Sequence, residues 1–151
     1  MLNRLKDVFR FFQYHEVKYL VIGGIASVVY GVPRATFDLD ILIEATPDNV
    51  QRLLNALLDA GFGTASLTNA ETILENEITI FKDRVRIDVQ TSAPGLNFHD
   101  AWERKTTMVY QGQEFHVVSK QDLVASKRAA RREVDLEDVR LLELPEGEDD
   151  S

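Results

Sequence analysis

The sequence predicts an α/β (α+β) fold in which a short mixed β-sheet is flanked by helices, with further helices at the C-terminal end. Three observations predict it. Apolar residues recur at helical spacing in several segments, β-branched runs of strand length alternate with those segments, and glycine and proline punctuate the junctions. With 151 residues and 44% hydrophobic content, the chain is the size of one ordinary domain. We therefore predict a single domain over residues 1–142 and an acidic, flexible tail over 143–151.

Helical and strand-like patterns alternate in the N-terminal part of the chain. Helices are indicated by apolar residues three or four positions apart, and strands by runs of β-branched residues. Thr46 or Asp48 can cap a helix that begins beside Pro47. The predicted elements are a helix that ends near Tyr14, a strand over 18–22, a Gly23-Gly24 turn, a helix over 25–30, a strand over 37–44 and a helix that Gly61 ends, with a core stripe from Val50 to Leu58.

The C-terminal part predicts two hairpins followed by two helices. Ser119 has the position and chemistry of a helix N-cap, with Asp122 at the third helical position. The predicted elements are a loop or short helix around 70–75, a hairpin of strands 77–81 and 84–91, a short helix within 97–105, a hairpin of strands 108–110 and 114–118, a helix from Ser119 to about Arg131, and a last helix marked by Leu136, Val139 and Leu142.

Composition excludes several classes of protein. The chain has no cysteine, which excludes disulfides and thiolate zinc sites. No apolar run approaches the roughly 18 residues of a membrane span. The first residues also lack the apolar stretch of a signal peptide. We therefore predict a cytoplasmic protein with no membrane partner.

The charge distribution leaves a nucleic-acid partner open. The net charge is −8, of which residues 143–151 contribute −5, so residues 1–142 carry only −3. A surplus of acid disfavours strong nonspecific binding to nucleic acid, because phosphate contacts require lysine and arginine. A local basic cluster could nonetheless touch phosphates. This cluster consists of Lys127, Arg128, Arg131 and Arg132.

Two aspartates one residue apart in an apolar run are the most informative feature of the chain. Because side chains alternate between the faces of a strand, Asp38 and Asp40 project from the same face. Two carboxylates aimed together repel each other unless a cation lies between them. A third acid, Asp88, lies in a second strand-like run, where a charge between apolar neighbours needs a partner. Together with the Gly23-Gly24 turn, these acids predict Mg²⁺-dependent chemistry on a nucleotide.

The same residues carry a resemblance to a known family. Val21-Ile22-Gly23-Gly24, followed after residues 25–37 by Asp38-Leu39-Asp40-Ile41, resembles the signature of the DNA polymerase β-like nucleotidyltransferase superfamily. The run from Arg34 to Asp40, and the segment from Ser119 through Lys127 to Asp138, are similar to its minimal and abortive-infection toxin branches. The resemblance covers residues from about 17 to 142 and implies the nucleotidyltransferase fold.

The resemblance implies roles for the acids. Asp38 and Asp40 would be ligands of Mg²⁺ or Mn²⁺, and hard ions of this kind prefer carboxylate and phosphate oxygens. Asp88 would either complete a second metal site or take the proton from the attacking hydroxyl. Asp135 or Asp138 would match a further acid of the toxin branch, and the spacing does not separate the two.

The resemblance also implies a set of nucleotide-binding residues. The bare backbone of the two glycines would approach the triphosphate of an NTP substrate at a helix N-terminus. A serine hydroxyl and a helical lysine would add contacts, whereas an arginine and a threonine would contact either a phosphate or the acid pair. These residues are Gly23, Gly24, Ser27, Lys127, Arg34 and Thr36. Each also has a plainer interpretation: the glycines as a simple turn, Ser27 as a satisfied helix hydroxyl, and Lys127 as part of a solvated helix face.

The leading hypothesis is an enzyme that transfers a nucleoside monophosphate from an NTP to a hydroxyl-type acceptor. The resemblance allows tRNA, a protein or a small molecule as the acceptor, and it allows an antitoxin partner if this chain is the toxin-like half of a two-component system. Two alternatives stay open. One is a catalytically silent nucleotide-binding or protein-interaction module of the same fold. The other is a metal-dependent phosphohydrolase, which would use the same acids with water as nucleophile.

Overall fold

The mixed α/β architecture is confirmed by the computed structural model, which describes residues 2–144. Most of the predicted acidic tail lies outside the described residues. The elements in chain order are α1 (Leu2–Tyr14), β1 (Tyr19–Ile22), α2 (Gly23–Val29), β2 (Asp38–Ile43), α3 (Pro47–Asp59), a 3-10 helix (Gly63–Leu67), α4 (Ala70–Glu75), β3 (Ile78–Lys82), β4 (Arg86–Gln90), α5 (Phe98–Glu103), β5 (Thr106–Tyr110), β6 (Gln113–Val117), α6 (Lys120–Ala130) and α7 (Glu133–Leu142).

The six strands form one mixed sheet in the order β3-β4-β2-β1-β6-β5. β2 runs parallel to β4, and β1 runs parallel to β6. The other three pairings are antiparallel. Both predicted hairpins, β3-β4 and β5-β6, are therefore present at opposite ends of the sheet. The two acid-bearing strands, β2 and β4, are neighbours inside it.

The two faces of β2 have different environments. Leu39 and Ile41 are fully buried, whereas the alternate aspartates point to the other face. Tyr19 of β1 is in register with Ile43 of β2, and its ring packs against Phe12 of α1. Neighbours in register share a face of a sheet, so α1 covers the apolar face of β2. The aspartates are thereby confined to the face that α1 does not cover.

Two predicted helix starts are confirmed at the level of the cap. The side chain of Thr46 accepts a hydrogen bond from the backbone N–H of Asn49 and begins α3, so Thr46 and not Asp48 is the cap. The side chain of Ser119 accepts a hydrogen bond from the backbone N–H of Asp122 and begins α6. Each cap satisfies a donor that the first helical turn would otherwise leave without a partner.

Some local predictions were wrong. No separate turn divides β1 from the next helix, because α2 begins at Gly23 itself and the φ of 69° at this residue redirects the chain. Phe37 is 73% exposed and precedes the first residue of β2, so it is not part of the apolar strand. Leu58 was expected in the core stripe of α3, but it is 44% exposed, whereas Leu57 and Ala60 on either side of it are buried.

No helix among residues 2–144 is both long enough and apolar enough to cross a membrane.

Candidate active site

The three predicted acids meet on one face of the sheet. Asp40 of β2 is in register with Asp88 of the neighbouring parallel strand β4. Asp38 lies two residues before Asp40 and so faces the same way. It is in register with Arg86. The three carboxylates therefore lie on one face of adjoining strands. The alternation in β2 predicted this for Asp38 and Asp40, and the register with β4 adds Asp88.

Asp40 is the acid whose ionisation the site perturbs most. Burial raises the pKa of Asp40 from its usual 3.8 to about 7, and the charge and hydrogen bond of Asp88 act in the same direction. The charge of Asp38 raises this pKa further, whereas Arg86 lowers it. Crowded carboxylates bind a proton more tightly because one proton relieves their mutual repulsion. A divalent cation bound between these carboxylates would reduce the same repulsion.

Arg86 is the cation that already lies among the acids. Its Nε donates to Oδ1 of Asp88 at 2.8 Å, and its Nη2 donates to Oδ2 of the same carboxylate at 3.2 Å. Its Nε also lies 3.9 Å from Oδ2 of Asp38. The side chain of Asp38 is 49% exposed, compared with 16% for Asp88. The guanidinium therefore neutralises Asp88, and Asp38 is the more accessible of the two acids that it contacts.

The two predicted glycines lie in close contact with the acid strand. A Cβ atom on Gly23 would lie 2.4 Å from Oδ2 of Asp40, and one on Gly24 would lie 2.8 Å from Oγ1 of Thr36. Real Cβ atoms essentially never come so close, so only glycine lets the start of α2 pack against β2 in this way. The backbone at Gly23 is therefore held directly beside the Asp40 carboxylate.

Three of the predicted nucleotide-binding residues contact the carboxylate of Asp138 in α7. Its Oδ2 accepts hydrogen bonds from Nη1 of Arg34 at 2.7 Å and from Nζ of Lys127 at 2.9 Å. The Ser27 hydroxyl lies 3.4 Å from the same oxygen and 3.2 Å from the carbonyl oxygen of Gly23, and it is fully buried. One carboxylate thus connects α2, the segment before β2, α6 and α7.

Asp135 forms the second centre of this buried network. Nε of Arg132 donates to it at 2.6 Å and Nη2 donates at 3.0 Å, while Nζ of Lys127 lies 3.6 Å from it. Burial would raise the pKa of Asp135, but the hydrogen bond and charge of Arg132 together with the charge of Lys127 outweigh burial and lower it. Asp135 therefore stays ionised. The three cations and two carboxylates of the network leave one net positive charge.

These features enclose one cleft of about 460 Å³. Its volume is in the range of small-molecule sites. Five of the predicted site residues line the cleft, and four do not. The lining includes Gly23, Asp38, Asp40, Asp88 and Lys127. Gly24 and Ser27 are not among the lining residues, and Ser27 is fully buried. Arg34 and Thr36 line a separate apolar groove at the end of α2. Lys127 is only 6% exposed and is ion-paired, so it is not on a solvated helix face.

The carboxylate oxygens at this site suit Mg²⁺ in their chemistry, but the side chains are not close enough together to bind it. Three carboxylates of neighbouring strands supply hard oxygen ligands, and the pKa of Asp40 is raised first by burial and then by the charges of Asp88 and Asp38. As the side chains stand in the part of the chain that the structure describes, no group of three or more acids or histidines is close enough to hold a metal ion. The guanidinium of Arg86 already takes both oxygens of Asp88. Ligation by all three acids requires that side chain to move.

Two candidate functional residues, Arg86 and Arg132, were not predicted from the sequence. Arg86 precedes Asp88 by two residues in the same strand, so the period of two that placed Asp38 beside Asp40 also predicts that Arg86 shares a face with Asp88. Arg132 was seen only as part of a basic cluster, although it lines the cleft and pairs with Asp135. The three-residue spacing of Arg132 and Asp135 at the start of α7 is a local signal that could have indicated their pairing. The position of Arg132 at the cleft, in contrast, depends on how the chain turns between α6 and α7.

The fold and the cleft define an α/β protein in which an acid-bearing sheet face closes against two C-terminal helices. A family model described as "Nucleotidyltransferase of unknown function (DUF6036)" matches residues 3–146, and the chain belongs to this family. The predicted nucleotidyltransferase-type family is thereby confirmed, whereas the toxin branch stays a prediction. A comparison with curated proteins gave no match.

Proposed function

We propose that the protein is a Mg²⁺-dependent nucleotidyltransferase that moves a nucleoside monophosphate from an NTP to a hydroxyl-type acceptor. The observation that carries the proposal is the register of Asp40 with Asp88, with Asp38 on the same face of the sheet. Structural acids are seldom placed side by side in the interior of a sheet, because their repulsion costs folding energy. Cations bound at this site would offset the repulsion between the acids, which explains why the acids are placed together.

The triphosphate would lie toward α6 and α7. Lys127 and Arg132 line the cleft there, and the network to which they belong carries a net positive charge. Asp38, Asp40 and Asp88 would hold the ions. When bound, Mg²⁺ or Mn²⁺ would neutralise phosphate oxygens and lower the barrier to attack at the α-phosphorus. Gly23 keeps the start of α2 close enough for its backbone to border the same phosphates.

The proposed transfer needs no reactant besides the NTP and the acceptor hydroxyl. The acceptor hydroxyl oxygen forms a bond to the α-phosphorus, and the bond from that phosphorus to the oxygen bridging to the β-phosphorus breaks. The leaving electron pair departs with pyrophosphate. The hydroxyl proton passes to the carboxylate of Asp88, whose two oxygens become available when the Arg86 guanidinium moves away from them. The products are the nucleotidylated acceptor, pyrophosphate and one proton.

The position of Arg86 favours a second candidate, a catalytically silent nucleotide-binding module. A guanidinium bound to both oxygens of Asp88 could serve as a permanent replacement for a metal ion. Such a module would bind an NTP without turning it over. The presence of three acids around one arginine, with Asp38 half exposed, favours the enzyme over the silent module.

The resemblance to the toxin branch extends the proposal to a biological role. On this hypothesis the chain is the toxin-like half of a two-component system, and a separate antitoxin restrains it. Expression of the wild-type chain alone should then arrest growth, whereas expression of the Asp38→Asn variant should not. Equal growth of the two strains, at equal protein levels, would exclude this role and leave the enzymatic proposal standing.

The enzymatic proposal can be tested by following labelled nucleotide. The protein would be incubated with each α-labelled NTP, with Mg²⁺ or Mn²⁺, and with tRNA, protein or small-molecule acceptors in separate tubes. The Asp38→Asn and Asp88→Asn variants serve as controls, and Asp83→Asn is a matched exposed acid at the β3-β4 turn. We expect metal-dependent label on one acceptor class, release of pyrophosphate, and loss of both in the two site variants only.

Each alternative outcome identifies a different function. Release of nucleotide or orthophosphate without a labelled acceptor would mean hydrolysis. Binding of NTP without turnover would identify the silent module. Transfer by the Asp38→Asn and Asp88→Asn variants at the wild-type rate would remove the assigned roles of these acids.

A further inference from the structure

The sheet edge nearest the acids has an open backbone. β3 is the outermost strand on that side. Backbone hydrogen bonds join Glu77 to Thr91 at one end of the β3-β4 ladder and Asp83 to Val85 at the other. Hydrogen-bonded pairs alternate along an antiparallel ladder, so the even-numbered residues of β3 turn their N–H and C=O groups away from β4. Within the described part of the chain, these groups have no backbone partner. The residues are Ile78, Ile80 and Lys82.

The same edge presents apolar side chains next to the acids. Ile78 and Ile80 are 52% and 51% exposed. Ile80 is in register with Asp88, which is in register with Asp40, so the three side chains form one row across the sheet. Ile78 lines the cleft itself. Edge strands are usually shielded by charge, proline or a covering element, and two half-exposed isoleucines on an open edge indicate a surface that binds another chain.

The charged residues near this edge favour a polypeptide over RNA as the acceptor. Glu71, Glu75 and Glu77 precede or flank the start of β3, and all three are exposed. None of them forms an ion pair with another residue of the described range 2–144. At this acidic end of β3 a polyanion such as RNA would be repelled and a basic segment attracted, whereas the exposed Lys82 lies at the opposite end of the strand.

We propose that β3 is the docking edge for the acceptor and that the acceptor is a polypeptide, which pairs with β3 as an additional strand. A peptide backbone supplies the alternating donors and acceptors that the open edge requires, and a phosphodiester backbone does not. The docked segment places apolar residues over Ile78 and Ile80 and a basic residue near Glu75 and Glu77. The hydroxyl that receives the nucleotide lies in the chain that continues from this strand into the cleft.

This inference rests on the proposed function and names its acceptor. A strand on β3 borders the cleft because Ile78 lines the cleft together with Asp88. The bond that forms joins a side-chain oxygen of the docked polypeptide to the α-phosphorus. Pyrophosphate leaves, and the hydroxyl proton passes to Asp88 as in the step described above.

The test compares two acceptor pools from the organism that encodes the chain. Total protein and deproteinised total RNA are incubated separately with the full chain, α-labelled NTP and Mg²⁺. Ile80→Pro removes an outward N–H but no ladder hydrogen bond, and Ile80→Val is the matched variant that keeps both the donor and an apolar side chain. A second variant, Glu75→Arg with Glu77→Arg, reverses the surface charge without touching the sheet. NTP binding by each variant is measured in parallel.

We expect label in the protein pool, with a loss of about tenfold for Ile80→Pro and for the charge-reversed variant and no loss for Ile80→Val. NTP binding should be unchanged in all three. Label in the RNA pool alone would overturn the polypeptide acceptor while the proposed transferase activity stands. Undiminished labelling of protein by both Ile80→Pro and the charge-reversed variant would overturn docking on β3. Absence of label from both pools would overturn this inference, whereas the transferase proposal would still be decided by label transfer and pyrophosphate release with small-molecule acceptors.

Discussion

Gly23 and Asp40 are packed so closely that no side chain can stand between them. A Cβ atom on Gly23 would lie 2.4 Å from Oδ2 of Asp40 and 3.0 Å from its Cβ and Cγ. The φ of 69° at Gly23 is also one that residues with a side chain rarely adopt. Backbone conformation and contact distance therefore both require glycine at the point where β1 passes into α2.

Substitution of Gly23 should separate the cost of backbone strain from the cost of lost contact. Gly31 also has a positive φ, of 101°, but no atom lies within 4 Å of the position that a Cβ atom would take there. We expect Gly31→Ala to reduce the free energy of unfolding by about 1 to 2 kcal/mol and to retain nucleotidyl transfer. Gly23→Ala should cost more stability and abolish transfer, because the Asp40 carboxylate must move. Urea unfolding and a transfer assay on both variants check this, and equal behaviour of the two would contradict it.

The Asp40 carboxyl should make stability depend on pH. Its pKa is raised to about 7, so the folded protein keeps a proton that the unfolded chain loses at about pH 4. The stabilisation from this proton is complete below about pH 4 and is lost as the pH rises through about 7. We expect Asp40→Asn to be more stable than the wild type at about pH 8, by about 2 to 4 kcal/mol, with the difference vanishing near pH 4.

Urea titrations of both proteins across this pH range measure that difference. Addition of Mg²⁺ at about pH 8 should stabilise the wild type and leave Asp40→Asn nearly unchanged, because a bound cation replaces the proton. A pH-independent difference between the two proteins would show that Asp40 does not titrate in this window.

The buried carboxylate of Asp138 should be essential to stability. Asp138→Asn leaves the ammonium of Lys127 and the guanidinium of Arg34 without their shared anion. We expect a loss of about 3 to 5 kcal/mol in the free energy of unfolding, the usual cost of breaking a buried pair. Glu137→Gln, which removes an exposed ion pair on the same helix, should change stability little.

A double variant then distinguishes structural from functional roles in this network. Lys127→Met combined with Asp138→Leu removes both members of the buried pair and leaves only the partly exposed Arg34 without its anion, so it should recover part of the lost stability. It should not recover transfer, because the cleft loses its lysine. Recovery of both properties would show that Lys127 does not serve the reaction.

Arg86 should compete with the metal for Asp88. Arg86→Gln removes a positive charge from among three carboxylates, so the apparent affinity for Mg²⁺ at about pH 8 should rise by about threefold to tenfold. Titration of transfer activity with Mg²⁺ measures this change. Arg4→Gln, at an exposed position of α1 on the other side of the sheet from the acids, is a matched charge removal that should leave the Mg²⁺ affinity unchanged. Weaker Mg²⁺ binding by Arg86→Gln would mean that the arginine supports the metal site instead of opposing it.

Local features of the fold could be predicted from the sequence because they depend on neighbouring residues. The caps at Thr46 and Ser119 depend on a hydroxyl and a backbone N–H three residues later. Phe37 and Leu58 were wrongly predicted because exposure depends on what packs above a residue, and their apolar character says nothing about that. The positions of Ser27 and Lys127 were likewise beyond local patterns, because both contact the distant Asp138.

The sequence by itself determined that Asp38 and Asp40 share a face, since that follows from the two-residue period of any strand. Only the tertiary structure decided that Asp40 lies in register with Asp88 and that Arg86 lies close to Asp38 of the neighbouring strand. Pairing between strands depends on how hydrophobic faces align across the whole sheet, and no spacing within one strand contains that information. The chemistry of this cleft thus depends on side chains that the sequence names and that the packing of the fold brings together.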